Sequence, residues 1–365
     1  MKKVIVQIVQ HLEMGGIECL VLEFKRLLDD DYDVHIVSLE GENGHKSQLW
    51  PRLQALGTNV HFLNKKPGLQ VTLIWQLKNI LGKLNTEIVH THHIGPLLYG
   101  GIAARLARVP QIIHTEHDAW HLAVRKRRLV QHMAIKIVKP VLVADAEIVA
   151  QEMQHAFPGI MPFIIRNGVD LNKFVPGHMS YARKLIGLPE TVRIIGCGAR
   201  LVSEKSHNTL IKAVSLLSKN THLALAGDGP LKRELQQYAE SLGLANRVHF
   251  LGNIESMKTF YQSLDVFAMS SKHEGMPVSP LEAQACNVPV VLTNVGGTKE
   301  VVCPRSGKLV SVDCIEELAF ALAYVLETGN FFSPRRFVEQ TADINCTVSK
   351  YLELTVSDNR RKCYG

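Results

Sequence analysis

Short runs of apolar and β-branched residues recur along the chain, each broken off by glycine, proline or a charged cluster, with helix-like stretches between them. In the first half these runs occupy 4–9, 34–39, 59–63, 87–90, 111–115 and 141–144; in the second they occupy 193–197, 222–226, 247–251, 264–269 and 288–292. Runs of this kind read as strands buried on both faces, and their alternation with helical patterns argues a parallel, doubly wound α/β sheet. Helices are predicted over 206–217 and 231–242, with an amphipathic closing helix over 343–356 and an irregular basic tail from 359 to 365. The alternation occurs twice without a detectable sequence repeat, and 365 residues suit two domains of ordinary size better than one core.

Composition narrows the class. With 46% hydrophobic and 21% charged residues, the chain reads as globular rather than disordered. No run approaches the ~20 apolar residues of a membrane span. The opening, Lys2 and Lys3 before an apolar run, is too short and too interrupted by Gln7 for a signal peptide. Seven scattered cysteines with no C-x-x-C pair point to a reducing compartment, so a cytoplasmic location is expected, with at most peripheral membrane association. A net charge of +7 draws the chain to an anionic partner. The basic maximum is Arg125, Lys126, Arg127 and Arg128, followed by Lys136 and Lys139 with apolar residues between. Such a helix is either a plain solvated face or one that rests on an anionic bilayer. No basic stripe interleaved with aromatics supports nucleic-acid binding.

The stretch 271–285 reads S-K-H-E-G-M-P-V-S-P-L-E-A-Q-A, and it follows a strand and enters a helix. Glu274 therefore falls in a loop at a strand's C-terminal end, where open α/β sheets bind ligands, and Glu282 in a helix's first turn, and two such carboxylates can hold two hydroxyl pairs of one long ligand. Ser279, Pro280 and Glu282 equally spell a capping box. In Gly198-Ala-Arg200-Leu-Val-Ser-Glu-Lys205-Ser206, a strand ends, Ser206 is placed to cap a helix, and two cations stand beside that helix's N-terminus. Guanidinium, ammonium and helix dipole then converge on one spot, which suits a diphosphate. Gly15 and Gly16 close a strand-to-helix turn through which backbone N–H groups can approach a phosphate. His90, His92, His93, His114 and His117 gather at two strand ends, in no metal-binding spacing. His92, His93 and His117 stand at the edge of the cleft, and Glu116 and Asp118 are placed to orient the ring of His117. Asp29, Asp30, Asp31 and Asp33 read as a solvated turn.

These elements resemble, in order and over nearly the whole chain, the retaining glycosyltransferases of family 4. The Glu274-x7-Glu282 spacing matches that family's signature. Arg200 and Lys205 match its G-R-L-x-x-x-K loop, although an alanine separates Gly198 from Arg200. Asn167-Gly-Val-Asp170 matches its hinge, and Gly227-Asp-Gly229-Pro its nucleotide-side turn. The resemblance implies a GT-B fold, two Rossmann-like domains facing a cleft. An acceptor-side domain over 1–168, a nucleotide-sugar domain over 169–340 and a closing segment over 341–365 that crosses back are expected. It implies Arg200, Lys205, Glu274 and His117 as catalytic residues, with Glu274 on the donor sugar and Glu282 on the ribose. Gly15, Gly16, Gly229, Leu251, Gly275, Met276, Pro277, Gly296 and Gly297 complete the donor site. The implied reaction moves a sugar from a nucleoside diphosphate sugar, expected to be UDP-linked, to a glycan or lipid-linked acceptor, with no metal and no cofactor, as in bacterial surface polysaccharide assembly. A nucleotide-sugar epimerase or hydrolase of the same fold is the alternative.

Overall fold

The computed structural model of the chain describes residues 2–13, 15–41, 59–328, 332–356 and 363–364. It divides into two compact units, one of residues 1–167 and 347–365, the other of residues 168–346. Each is built on a parallel sheet whose strands are covered by intervening helices.

In the first unit the strands are β1 (Lys3–Val9), β2 (Tyr32–Ser38), β3 (Val60–Phe62), β4 (Ile88–His92), β5 (Gln111–Glu116), β6 (Val141–Ala144) and β7 (Phe163–Ile164). They lie in the order β3-β2-β1-β4-β5-β6-β7. The second unit contains β8 (Arg193–Gly198), β9 (Thr221–Ala226), β10 (Val248–Gly252), β11 (Val266–Met269), β12 (Val290–Thr293) and β13 (Lys308–Val310), ordered β10-β9-β8-β11-β12-β13. The order reverses between β1 and β4 in one sheet and between β8 and β11 in the other. At such a reversal the loops leave the strands in opposite directions and open a crevice at the C-terminal ends.

The long apolar runs became central strands because both of their faces are covered. Ile5, Val6, Ile8 and Val9 of β1 are all buried, and the one polar residue among them, Gln7, hydrogen-bonds His92 across the sheet. The two strands without a sequence signal, β7 and β13, are edge strands of two and three residues, too short to show an apolar run. The closing helix, Ile344–Val356, buries Val348, Tyr351 and Leu354, and the Tyr351 hydroxyl lies 2.9 Å from Thr115 Oγ1.

Of the tail expected to be irregular, only Cys363 and Tyr364 lie among the described residues, and both are docked rather than frayed. Cys363 is fully buried, and the Tyr364 hydroxyl donates to the Pro140 carbonyl at 2.8 Å. A small apolar thiol and an amphipathic ring have surface to gain there, which the surrounding charge pattern conceals.

Candidate active site

The crevice between β8 and β11 is lined by the two loops that the sequence singles out. After β8, the backbone of Ala199 and Leu201 runs alongside the next loop through Ala199 N–H to Ala226 O and Leu201 N–H to Asp228 O, each 3.0 Å. His207, buried one turn further on, braces the same loop, its Nε2 lying 3.0 Å from the Arg200 carbonyl. The Arg200 side chain is left exposed. After β11, Lys272 N–H donates to the Glu204 carbonyl at 2.8 Å and Ser270 Oγ to the Ser206 carbonyl at 2.8 Å, so the two loops are sewn together. The result is a contact between Lys205 Nζ and Glu274 Oε1 at 2.6 Å, with 21% and 8% of the side chains exposed. The group matched to the diphosphate and the group matched to the donor sugar are therefore neighbours, and in this state they neutralise each other.

Neither expected helix cap forms. Ser206 sits at the start of the helix His207–Ser215 with φ 48° and ψ 43°, a left-handed conformation from which its hydroxyl reaches the Thr209 hydroxyl instead of a backbone N–H. The helix Ser279–Ala285 takes Ser279 as its first residue, so the hydroxyl is one position too late to cap, and it lies against Met269 Sδ. Glu282 is thereby released from the capping role, and it accepts a 2.6 Å hydrogen bond from the Tyr261 hydroxyl.

Glycines make room for this arrangement. Gly296, at φ 49°, lies against the Glu274 carbonyl so closely that a Cβ there would overlap it, and Gly297 N–H donates to Gly275 O at 2.9 Å. A Cβ on Gly229 would stand 2.5 Å from the Leu201 carbonyl. Met276 and Pro277 are buried and act as packing beneath the loop, and Leu251 is half-buried at the end of β10.

In the first unit the corresponding crevice lies between β1 and β4. Gly15 and Gly16 begin the helix Gly16–Leu28, and Glu18, in its first turn, packs against Gly15 and pairs with His11 at 3.2 Å. On the β4 side stands His93, with φ 69° and ψ 170°, a region essentially reserved for glycine. Its Nδ1 lies 3.4 Å from Glu116 Oε1 and 3.7 Å from Asp118 Oδ2. Burial opposes its charged form, but Glu116, Asp118 and Glu18 outweigh that and raise its pKa. Glu116 itself, which burial alone would push up, is drawn well below the usual carboxylate range by His114 and His93.

His117 is placed differently from expectation. It is buried, and its ring belongs to a closed chain: His117 Nδ1 is 3.1 Å from Asp145 Oδ2, His117 Nε2 is 2.9 Å from His92 Nδ1, and His92 Nε2 is 2.9 Å from Gln7 Oε1. Its orienting carboxylate is thus Asp145, not Glu116 or Asp118. The reason is the strand's period of two, which sends Glu116 to the opposite face toward His93, His114 and Gln131. Burial lowers His117 to about 3, lowers His92 well below its ordinary value and raises Asp145 well above its own. Burial thus favours neutral rings and a neutral Asp145, and with these a single direction runs along the chain, Asp145 O–H toward His117, His117 toward His92 and His92 toward Gln7.

On sequence His93 ranks behind His117, and Asp145, His207 and Tyr261 carry no signal of a ligand or support role. His93 alone had a usable signal, being the last histidine of His90-Thr-His-His93 at the end of an apolar run. The others follow from contacts distant in sequence.

Two family models match the chain, glycosyl transferases group 1 over residues 181–343 and glycosyltransferase family 4 over residues 14–173. An Escherichia coli UDP-Gal:alpha-D-GlcNAc-diphosphoundecaprenol alpha-1,3-galactosyltransferase is 27% identical, over 86% of this chain and 85% of its own length. A Corynebacterium glutamicum GDP-mannose-dependent monoacylated alpha-(1-6)-phosphatidylinositol monomannoside mannosyltransferase is 27% identical, over 66% of this chain and 69% of its own. Among solved structures, Anabaena Alr3699/HepE in complex with UDP superposes with a TM-score of 0.82 at 21% identity, covering 97% of this chain and 99% of that one.

Proposed function

Since the chain belongs to the family 4 type of glycosyltransferase and has the GT-B fold, we propose that it transfers a sugar from UDP-sugar to a lipid-linked glycan, retaining the anomeric configuration and needing no metal. The observation that carries this reading is the Lys205–Glu274 contact at the β8/β11 crevice. A donor exchanges the partners: its diphosphate takes Lys205 together with Arg200, and its sugar hydroxyls take Glu274. Glu282, steadied by Tyr261, then accepts from the ribose. As the bond from the anomeric carbon to the phosphate oxygen breaks, the two cations stabilise the charge developing on the leaving diphosphate. The acceptor oxygen forms its bond on the same face, and its proton passes to the departing phosphate oxygen. In the first unit, His93 is the imidazole that meets the ligand, and His117 is a positioning residue behind it.

The named activities of the two relatives, on a diphosphoundecaprenol-linked and a phosphatidylinositol-linked acceptor, support a lipid-linked acceptor and a place in bacterial surface glycan assembly. Transfer from UDP-sugars should persist in EDTA, because fixed cations fill the role of a metal. Lys205→Ala and Arg200→Ala should each lower turnover about 100-fold or more at saturating donor. Glu274→Gln should abolish transfer yet bind UDP roughly two- to fivefold more tightly, because a partly exposed ion pair no longer competes for Lys205. If UDP binds the Gln variant no better than the native protein, Lys205 is not the diphosphate ligand. Rapid consumption of donor without acceptor would instead mark an epimerase or hydrolase.

A further inference from the structure

The helix Arg125–Val138 has two apolar faces, and among the described residues only one of them is covered within the fold. Gln131, Ala134, Ile135 and Val138 are buried. Leu129, Met133 and Ile137 are 59%, 55% and 56% exposed. At four-residue intervals these three form a single ridge, and at 3.6 residues per turn that ridge stands across the helix from the buried face. Trp120 and Val124 are also exposed, just before the helix begins. Aliphatic side chains left in water as a contiguous patch with a polar rim mark an interaction surface.

The rim is of one sign. Arg125, Lys126 and Lys136 fall on the same half of the helix as the ridge and are exposed, and no aspartate or glutamate occurs between Asp118 and Asp145. The adjoining helix Ile102–Leu106, which packs against this one, adds an exposed Leu106, with Arg105 and Arg108 exposed beside it. The chain from Ile88 to Thr115 also holds no acidic residue. We propose that this face docks on an anionic lipid bilayer, Leu129, Met133 and Ile137 entering the interface while the basic side chains meet the headgroups. The composition is that of an interfacial helix, apolar ridge inward and Lys/Arg stems long enough to reach past it to phosphates. A protein partner or a second copy of the chain would have to carry a strongly acidic counterpart, and this face offers none to another copy of itself. Attachment is peripheral: among the described residues no helix is long and apolar enough to cross a membrane.

The inference does not depend on the donor chemistry, so nucleotide binding serves as a separate readout. Full-length protein is sedimented with vesicles of phosphatidylcholine alone or of phosphatidylcholine with phosphatidylglycerol. Binding is expected only to the second and should weaken as salt is raised. Leu129→Glu/Met133→Glu/Ile137→Glu, all at solvent-exposed positions, should lose vesicle binding at least tenfold while UDP affinity and melting temperature hold. Lys126→Glu/Lys136→Glu should lose the preference for phosphatidylglycerol. The proposal is overturned if native protein ignores both vesicles or binds both equally, or if the triple variant binds like native. It is also overturned if the triple variant instead dissolves a dimer seen in sedimentation velocity.

Discussion

At the residue scale, His93 is the most informative side chain. A histidine at φ 69° and ψ 170° carries about 1–3 kcal/mol of backbone strain that glycine would not. His93→Gly should therefore raise the melting temperature while lowering transfer at least tenfold, in the manner of a residue kept for function against stability. A lower melting temperature would mean that the contacts with Glu116 and Asp118 outweigh the strain. The buried rings behind it give a pH signature. His90, His92 and His117 are held neutral by burial, with His117 at about 3. The unfolded chain takes up protons on these three as pH falls below about 6.5, while the folded chain does not. The raised pKa of Asp145 works in the opposite sense, favouring proton binding by the folded chain. The balance still favours the unfolded chain, so stability should fall as pH drops from 6.5 toward 4.5. A melting temperature unchanged between pH 7 and 5 would contradict the assigned protonation states. His121, by contrast, is lifted to about 9: burial works against it, but Asp118 and Glu116 prevail. Its contribution is complete below about 6.5 and is lost as pH rises through 9.

At the scale of elements, loops hold the site in register. Gly296→Ala should reduce transfer more than tenfold, because the added methyl collides with the Glu274 backbone at a positive φ. Gly243→Ala is the control: φ is 68° there too, yet none of the described residues lies within 4 Å, so it should cost stability alone. Equal activity in both variants would show that the Gly296 approach is incidental. The central strands and the main helices were legible from apolar runs and glycine punctuation, because long buried segments leave a dense signal. That Lys205 and Glu274 each stand at a strand's C-terminal end was legible as well, but their contact was not, because it depends on β8 and β11, far apart in sequence, being neighbours in the sheet. The caps were not, because Ser206 and Ser279 have the right chemistry one conformation or one position away from the right geometry. Nor was the partner of His117, for Asp145 is 28 residues away and on another strand's end.

At the scale of the whole molecule, each unit carries its own crevice, and the two differ in character. The second offers cations and carboxylates on backbone-tethered loops; the first offers imidazoles among acids. UDP should accordingly slow hydrogen exchange at 199–206, 227–231 and 272–278 in the second unit and leave 88–93 and 111–118 in the first unchanged. Protection confined to the first unit would reverse the proposed division of labour.

The resting contact between Lys205 and Glu274 also sets an entrance requirement. A free phosphate or sulfate ion arrives to find the ammonium occupied and has nothing with which to console the carboxylate it would strand. A molecule bearing both an anionic bridge and a hydroxylated ring satisfies the two at once. On the proposed function, common cellular anions should thereby be poor occupants.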